Sequence, residues 1–231
     1  MNNLIIIPAR QGSKGIPNKN LKELFGYPLI YYTINLALKL TSKENIILTT
    51  DCNDIIEFAK SMGLKVPFKR PKEIANDKTA MDEVIKHAIF FIEKKSKIKY
   101  DNIILLQPTS PLRQLFHVKE ALKEKEKYNS ELIIGVTSSD SNPYYNLFKE
   151  DEKGDLKVCI DSSFTRRQDA PKVYKVNGAI YIFDYKKYKE SYRLTNLKMK
   201  KYIMDPVFSI DIDTFEDLEY AEYVFKKINE K

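Results

Sequence analysis

Short apolar runs alternate along this chain with segments whose apolar residues recur at helical spacing, and this alternation constrains the fold more than any other feature. The first run, Leu4–Ile7, is continuously apolar, as a strand covered on both faces would be. Strands that alternate with helices in this way build a parallel sheet with helices on its faces. The sequence therefore predicts an α/β fold: a Rossmann-like, mostly parallel sheet flanked by helices.

The same patterns give the individual elements. Strands are predicted at Leu4–Ile7, Asn45–Thr50, Val66–Phe68, Ile103–Leu106, Leu132–Thr137, Ala179–Phe183 and Phe208–Ile212. Helices are predicted around residues 30–38, 55–62 and 81–92, over Phe116–Lys127 and across Leu218–Ile228. Between Ser138 and Lys175 the rhythm breaks, and a β-hairpin with its turn near Gly154 is expected. Residues 1–231 are thus expected to form one domain, with 138–175 as a small β-rich excursion.

Composition excludes several classes of protein. With 43% hydrophobic residues, the chain has enough apolar surface to build a core, which excludes a disordered or low-complexity protein. Cys52 and Cys159 form neither a CxxC pair nor a zinc-binding spacing. No apolar run approaches the length of a membrane span, and the first residues lack the pattern of a signal peptide, so we expect a cytoplasmic protein without a membrane partner.

A loop rich in glycine and cations follows the first strand. Its members are Arg10, Gly12, Ser13, Lys14, Gly15, Lys19 and Asn20. Backbone N–H groups freed by the glycines can bind phosphate oxygens, and the cations supply positive charge. The spacing matches neither the P-loop nor the dinucleotide fingerprint. A solvated basic loop is the alternative, but ligands of open α/β sheets bind at the carboxyl ends of strands, where this loop lies.

Two further loops follow predicted strands. Gln107 begins a segment with two prolines and two hydroxyl side chains, which indicates a rigid loop or a structural turn. Near the C-terminus, strand alternation would place Asp211 and Asp213 on one face, opposite Ile210 and Ile212. Paired carboxylates suit Mg²⁺, whereas capping of the final helix would explain only one of them. The three loops together predict a site for a nucleoside triphosphate and Mg²⁺.

These motifs resemble the CMP-sialic acid synthetases, the acylneuraminate cytidylyltransferase family. The resemblance covers essentially the whole chain and is carried by Ile7-Pro-Ala-Arg-Gln-Gly-Ser-Lys-Gly, Lys19-Asn20, Thr50-Asp51, Leu106-Gln-Pro-Thr-Ser-Pro-Leu-Arg, Asn177-Gly-Ala-Ile-Tyr-Ile and Ser209-Ile-Asp-Ile-Asp-Thr. It implies that CTP activates a nine-carbon acidic sugar (a nonulosonic acid), either N-acetylneuraminic or legionaminic acid. The products would be a CMP-sugar and pyrophosphate, with Mg²⁺ as cofactor.

The resemblance also implies roles for individual residues. The nucleotide would be bound by Arg10, Gly12, Ser13, Lys14, Lys19, Asn20, Arg70 and Thr79. The catalytic residues would be Arg10, Lys14, Lys19, Asp211 and Asp213, of which the two aspartates would also bind the metal. The sugar would be bound by Gln107, Arg167, Lys175 and Tyr181, with Arg167 facing the sugar carboxylate.

Two segments resemble the branch of the family that activates legionaminic acid: Asn142-Pro-Tyr-Tyr-Asn-Leu and Thr165-Arg-Arg-Gln-Asp-Ala-Pro-Lys. Lys175 stands where an arginine is common in the family. The excursion 138–175 corresponds to the segment through which these enzymes dimerise. The resemblance therefore implies a homodimer in which Arg167 or Lys175 serves the partner's site.

Two other interpretations stay open. The chain resembles other sugar nucleotidyltransferases more weakly, such as 3-deoxy-manno-octulosonate cytidylyltransferases, and the Ser209–Thr214 and Asn177-Gly-Ala segments argue against them. A nucleic-acid-binding module is suggested by 39 Lys+Arg against 32 Asp+Glu, a net charge of +7. The lysines are interspersed with acids, as in Lys119–Lys127, and no stripe of basic and aromatic residues appears, so no nucleic-acid partner is expected.

Overall fold

The fold is seen in a computed structural model that describes residues 1–95, 98–164 and 166–229. The strands are β1 (Asn3–Pro8), β2 (Glu23–Leu24), β3 (Tyr27–Pro28), β4 (Ile46–Thr49), β5 (Asn102–Leu105), β6 (Leu132–Ser138), β7 (Phe148–Glu150), β8 (Leu156–Val158), β9 (Tyr174–Asp184) and β10 (Met199–Ile203). The helices are α1 (Leu29–Leu40), α2 (Asn53–Ser61), α3 (Met81–Lys95), α4 (Leu115–Lys127), α5 (Tyr185–Ser191) and α6 (Phe215–Asn229).

Six strands form the central sheet in the order β10-β6-β9-β5-β1-β4. β1 runs parallel to both β4 and β5, and β10 runs parallel to β6. β9 is antiparallel to β5 and β6, because the chain leaves the sheet at the end of β6 and rejoins it directly opposite, where Ser138 pairs with Tyr174. The predicted α/β class with a mostly parallel sheet is confirmed.

Apolar side chains are buried on both faces of the sheet. Along β1, Ile5 and Ile7 belong to one core cluster, whereas Leu4 and Ile6 belong to the cluster on the opposite face. All four are fully buried, as the continuous apolar run predicts. A third cluster contains Ile16 of the loop after β1, together with Ile210, Ile212 and residues of α6. This third cluster holds the loop after β1 against the C-terminal part of the chain.

Two predicted strands are wrong. Val66–Phe68 is not a strand, because Pro67 in its centre cannot donate a ladder hydrogen bond. Phe208–Ile212 lies outside the sheet: Pro206–Phe208 forms a 3₁₀ turn. A backbone hydrogen bond of 2.8 Å joins the Ile212 N–H to the Thr109 carbonyl of the loop after β5. The expected alternation is nevertheless present, since Ile210 and Ile212 are buried in the third cluster.

The predicted excursion 138–175 has its two ends in the central sheet, at the end of β6 and the start of β9, and between them β7 and β8 pair as a separate antiparallel hairpin. Gly154 has a φ of +85° in the connecting turn, as the sequence indicates. Thr165, in one of the two legionaminic-like segments, lies outside the described residues. Cys52 and Cys159 are both free. No helix among the described residues has the length and apolar character needed to span a membrane.

Candidate active site

A cleft lies at the carboxyl ends of β1 and β5, where an open α/β sheet binds its ligands. It encloses about 210 Å³ and is lined by Pro8, Arg10, Gly12, Ser13, Lys19, Asn20, Arg70, Met81, Gln107, Pro108, Thr109, Asp211 and Asp213. The fold therefore brings together the three loops that the sequence singled out, although they are separated by about 100 residues each.

The loop after β1 is held in place by hydrogen bonds at both of its ends. The Gln11 N–H donates to the Asp51 carboxylate at 2.8 Å, and the Asn20 amide donates to the Arg10 carbonyl at 2.9 Å. Near its middle, the loop packs directly on the C-terminal segment, because a Cβ at Gly15 would overlap the carbonyl oxygen of Asp213. The loop is thus fixed before any ligand binds, and Asn20 has a structural role in addition to its predicted one.

The cations of this loop pair with carboxylates. Arg10 forms an ion pair with Asp77, which also lies 3.4 Å from the Lys14 ammonium group. The Lys19 ammonium group donates to Asp213 and to the Ile212 carbonyl, both at 2.7 Å. The Arg10 guanidinium, as the main cause, holds the pKa of Asp77 below its ordinary value. Arg10 and Lys14 therefore share one carboxylate, and Lys19 pairs with another, Asp213.

Arg70 is a buried cation at the back of the cleft. Its guanidinium donates to the Thr49 hydroxyl at 3.0 Å and to the Thr49 carbonyl at 2.5 Å, which ties it to the end of β4. Burial lowers the pKa of Arg70 to about 10, and the nearby Arg10 adds to this decrease while Asp51 opposes it. Arg70 stays charged at neutral pH and adds positive charge to the cleft.

The two aspartates occupy different environments. Asp213 is exposed and paired with Lys19, whereas Asp211 is largely buried, and its Oδ1 has no hydrogen-bond partner among the residues described. Burial raises the pKa of Asp211, and the Asp213 carboxylate adds to the increase, while Thr109 and Lys19 oppose it. Capping of α6 explains neither aspartate, because Thr214 and Asp217 form that cap by reciprocal hydrogen bonds.

The two aspartates can supply part of the ligand shell of the predicted magnesium ion. No group of three His, Cys, Asp or Glu side chains in the described parts of the chain is placed to hold a metal ion. Mg²⁺ is commonly held by only one or two carboxylates, with water and substrate phosphates completing its shell. Asp211 lines the same cleft as the basic loop, and its buried Oδ1 has no hydrogen-bond partner among the described residues, so this carboxylate suits such a mode of binding.

On the other side of the cleft, Gln107 faces β9. A Cβ at Gly178 would lie 2.7 Å from the Gln107 side-chain oxygen and 3.5 Å from Asp211, so glycine permits a close approach here. Tyr181, three residues along β9, is largely buried; burial raises its pKa, and the Asp211 carboxylate adds to the increase. Tyr181 is therefore within electrostatic reach of the cleft without lining it.

Four other predicted site residues also lie outside the lining of the cleft. Lys14 is 82% exposed at its rim, and the buried Thr79 hydroxyl has no hydrogen-bond partner within the described residues. Arg167 and Lys175 are exposed on the excursion, where Arg167 pairs with Asp140. The fold of one chain therefore gathers six of the eight predicted nucleotide residues and both predicted metal ligands at the cleft, but neither of the two cations predicted to bind the sugar.

Sequence reasoning gave no role to five residues that the structure places at the cleft. Pro8, Met81, Pro108 and Thr109 line it, and Asp77 forms the ion pair with Arg10 at its rim. Asp77 carried a signal, since it lies between Arg70 and Thr79, and Pro108 and Thr109 belong to the loop that the sequence singled out after Leu106. The contribution of Met81 depends on where α3 begins relative to the sheet, which no local pattern indicates.

Several known proteins are similar to this chain over nearly its whole length. A family model described as Cytidylyltransferase matches residues 4–229. A pseudaminic acid cytidylyltransferase of Campylobacter jejuni is 32% identical, over 98% of this chain and 97% of the relative. An N-acylneuraminate cytidylyltransferase of Escherichia coli is 36% identical over 98% of this chain but only 52% of the relative. A CMP-N,N'-diacetyllegionaminic acid synthase of Campylobacter jejuni is 33% identical, over 98% of this chain and 96% of the relative.

Two solved structures have a fold similar to that of this chain. A CMP:2-keto-3-deoxy-manno-octonic acid synthetase complexed with CTP superposes with a TM-score of 0.67 at 17% identity, covering 98% of this chain and 99% of that one. A 4-diphosphocytidyl-2C-methyl-D-erythritol synthase of Anaerococcus prevotii gives 0.64 at 17% identity, covering 97% and 98%. Identities this low support the fold alone. The family model and the relatives above, however, extend over nearly the whole chain, and the protein therefore belongs to the cytidylyltransferase family.

Proposed function

We propose that this protein transfers the cytidylyl group of CTP to the anomeric hydroxyl of a nine-carbon acidic sugar, releasing pyrophosphate. One observation carries the proposal: the basic loop after β1 and the unpartnered carboxylate oxygen of Asp211 line the same cleft. Relatives of nearly equal identity are named for pseudaminic, N-acylneuraminic and legionaminic acid. We therefore propose the nonulosonic acids as the substrate class, wider than the two sugars that the sequence suggested.

The reaction needs positioning and charge stabilisation more than covalent chemistry by the protein. The anomeric oxygen bonds to the α-phosphorus, the bond from that phosphorus to the bridging oxygen breaks, and pyrophosphate leaves with the electron pair. The sugar hydroxyl proton passes to water. Charge develops on phosphate oxygens, and Arg10, Lys14 and Lys19 would stabilise it. The support is that Arg10 and Lys19 line the cleft and that Lys14 lies beside Asp77 at its rim.

The other polar residues predicted for the site have proposed roles in binding the nucleotide, the metal ion or the sugar. Ser13 and the N–H of Gly12 bind phosphate oxygens, and Asn20, Arg70 and Thr79 orient the nucleoside. Asp211 and Asp213 would hold Mg²⁺, which supplies charge neutralisation on the triphosphate when it is bound. Gln107 and Tyr181 orient the sugar against β9. The support for most of these assignments is that the residues line one cleft. Thr79 and Tyr181 lie outside the lining and are assigned from the family resemblance, with Tyr181 close enough for the Asp211 carboxylate to raise its pKa.

Transfer of an oxygen isotope tests the proposed bond formation. The protein would be incubated with CTP, Mg²⁺ and a nonulosonic acid that carries ¹⁸O at its anomeric hydroxyl. We expect the label in the CMP-sugar, because the sugar oxygen attacks phosphorus, and unlabelled pyrophosphate in equal amount. Label-free CMP-sugar, or CMP formed by hydrolysis alone, would contradict the proposal.

We further propose that residues 1–231 act as one nucleotidyltransferase unit in the cytoplasm, where CTP is available, and that 138–175 mediates a homodimer. The hairpin of β7 and β8 supports this second proposal, because its apolar side chains are exposed: Phe148 is 56% and Leu156 69% exposed. In such a dimer, Arg167 and Lys175 would reach the partner's cleft, which accounts for their distance from the cleft of their own chain.

Arg167→Ala tests the role of the excursion in sugar binding. We expect the sugar KM to rise roughly 10- to 100-fold and the CTP KM to stay nearly constant, because an arginine–carboxylate hydrogen bond contributes about 1.5–3 kcal/mol. Steady-state kinetics with each substrate varied in turn would measure both. Arg166→Ala is the matched control, since Arg166 pairs with Asp169 within its own turn. An unchanged sugar KM in Arg167→Ala would remove this residue from the sugar site.

Asp77→Asn tests the ion pair at the rim of the cleft. Asp77 competes with phosphate oxygens for Arg10 and Lys14, so its neutralisation should lower the CTP KM by roughly two- to fivefold, a small effect typical of exposed pairs. Glu73→Gln, in the same loop, changes the net charge equally but lies outside this pair. Equal effects of both substitutions would assign the change to net charge and not to competition by Asp77.

A further inference from the structure

Arg113, at the end of the loop that follows β5, is a buried cation that the proposed mechanism does not use. Only 3% of its surface is exposed. One terminal nitrogen donates to the Ala179 carbonyl at 2.7 Å and to the Gln107 carbonyl at 3.2 Å, and the other donates to the Thr33 hydroxyl at 2.8 Å. Its Nε has no hydrogen-bond partner in the described parts of the chain.

A guanidinium in this environment is costly to the folded state. None of the ion pairs among the described residues includes Arg113, and burial lowers its pKa to about 9. Buried charges destabilise a fold unless they are paired or fully hydrogen-bonded, and an apolar side chain of similar size often stabilises it as well or better. Stability alone therefore does not explain the presence of Arg113, and we examine which groups its hydrogen bonds hold in position.

These hydrogen bonds converge on the wall of the cleft. Arg113 joins three elements: the start of the loop at Gln107, β9 at Ala179, and α1 at Thr33. Ala179 follows Gly178, where an added Cβ would lie only 2.7 Å from the Gln107 side-chain oxygen. The Thr33 hydroxyl also donates weakly to the Gln107 carbonyl, at 3.4 Å. The backbone of Gln107 is thus connected to β9 through Arg113 and to α1 through Thr33.

We propose that Arg113 is a positioning residue, which fixes Gln107 against β9 and so sets the geometry of the sugar side of the cleft. This inference rests on the proposed function, because it assigns Gln107 to the sugar. Arg113 itself is buried and is not among the residues that line the cleft. Its influence should consequently appear in the use of the sugar and not in the binding of CTP.

Kinetics of Arg113→Lys and Arg113→Met test the proposal. We expect kcat/KM for the sugar to fall roughly 10- to 100-fold in both, since small displacements of a positioning group cost rates of this order, with the CTP KM within about twofold. Leu132→Ala, a buried β6 residue in the core cluster on the opposite face, controls for lost stability. An equal loss in Leu132→Ala at matched thermal stability would overturn the proposal. If Arg113→Met does not fold, Thr33→Val removes one acceptor and should lower kcat/KM for the sugar roughly two- to fivefold.

A double-mutant cycle distinguishes an effect of Arg113 through Gln107 from an independent loss of activity. If Arg113 acts through Gln107, the double variant Arg113→Lys, Gln107→Ala should have the same kcat/KM as Gln107→Ala alone. Additive losses would contradict the proposal.

Hydrogen exchange supplies a readout that does not depend on the sugar. In Arg113→Lys, peptides covering residues 105–113 and 176–181 should exchange faster than in the parent protein, while a peptide of α3 stays unchanged. Unchanged exchange at these two segments would overturn the inference even if the protein proves to be an active cytidylyltransferase. Faster exchange without sugar-dependent turnover would instead place the failure with the proposed function.

Discussion

Replacing Asp211 by asparagine is expected to lower kcat roughly 100- to 1,000-fold, because the cleft loses a carboxylate that would hold Mg²⁺, the cation that would neutralise charge on the triphosphate. The same substitution should leave the melting temperature of the ligand-free protein at pH 7.5 equal to or above that of the parent. Burial raises the pKa of Asp211, so ionisation above that pKa costs the folded state free energy, which an amide avoids. Steady-state kinetics and thermal unfolding measure the two effects.

The pH dependence of the melting temperature tests whether ionisation of Asp211 destabilises the folded protein. Below the ordinary pKa of aspartate, the parent carboxyl is protonated in both the folded and the unfolded state, so the stability advantage of Asp211→Asn should disappear.

Asp217→Asn is the matched control. Burial pushes the pKa of Asp217 upward, but hydrogen bonds from the Thr214 and Asp213 N–H groups outweigh it and hold the pKa low. Asp217→Asn should therefore destabilise the protein above the ordinary pKa of aspartate. Parental activity in Asp211→Asn would contradict its role as a metal ligand.

Gly15→Ala is expected to damage both the fold and the nucleotide site. The new Cβ would overlap the Asp213 carbonyl oxygen, so the loop after β1 must move away from the C-terminal segment. Overpacking of this kind costs about 1–3 kcal/mol, which corresponds to a decrease in melting temperature of roughly 3–10 °C for a chain of this size. We expect the CTP KM to rise roughly tenfold or more, because the loop cations shift with it.

Gly12→Ala is the control for this prediction. A Cβ at Gly12 would lie 3.7 Å from the Arg10 guanidinium, an ordinary contact. The melting temperature should consequently stay close to that of the parent, although the methyl group adds bulk beside the predicted phosphate site. If Gly15→Ala melts like Gly12→Ala, the close packing between the loop and Asp213 does not exist in solution.

Five of the six strands of the central sheet could be predicted from the sequence, because they are short, continuous apolar runs. β10 was missed, since an edge strand with the sequence Met-Lys-Lys-Tyr-Ile carries no such run. The direction of β9 was not predicted either, because it depends on where the excursion returns the chain to the sheet. Both features are set by tertiary pairing and leave little local signal.

The candidate site was predicted in outline for a similar reason. The fold places strand ends together, so cations and carboxylates that follow strands converge without any local contact between them. The ion pairs were not predictable: Lys19 pairs with Asp213, 194 residues away in sequence, and Arg10 pairs with Asp77. The positions of Arg167 and Lys175 on the excursion likewise depend on the path of the chain after β6.

Pyrophosphate release that depends on the sugar tests the central claim most directly. The protein would be incubated with CTP and Mg²⁺ together with N-acetylneuraminic, legionaminic or pseudaminic acid, or with eight-carbon 3-deoxy-manno-octulosonate, and pyrophosphate and CMP-sugar would be quantified. We expect equal amounts of both products with at least one nine-carbon acid and little product with the eight-carbon acid. Release with none of the nine-carbon acids, or only with the eight-carbon acid, would contradict the account.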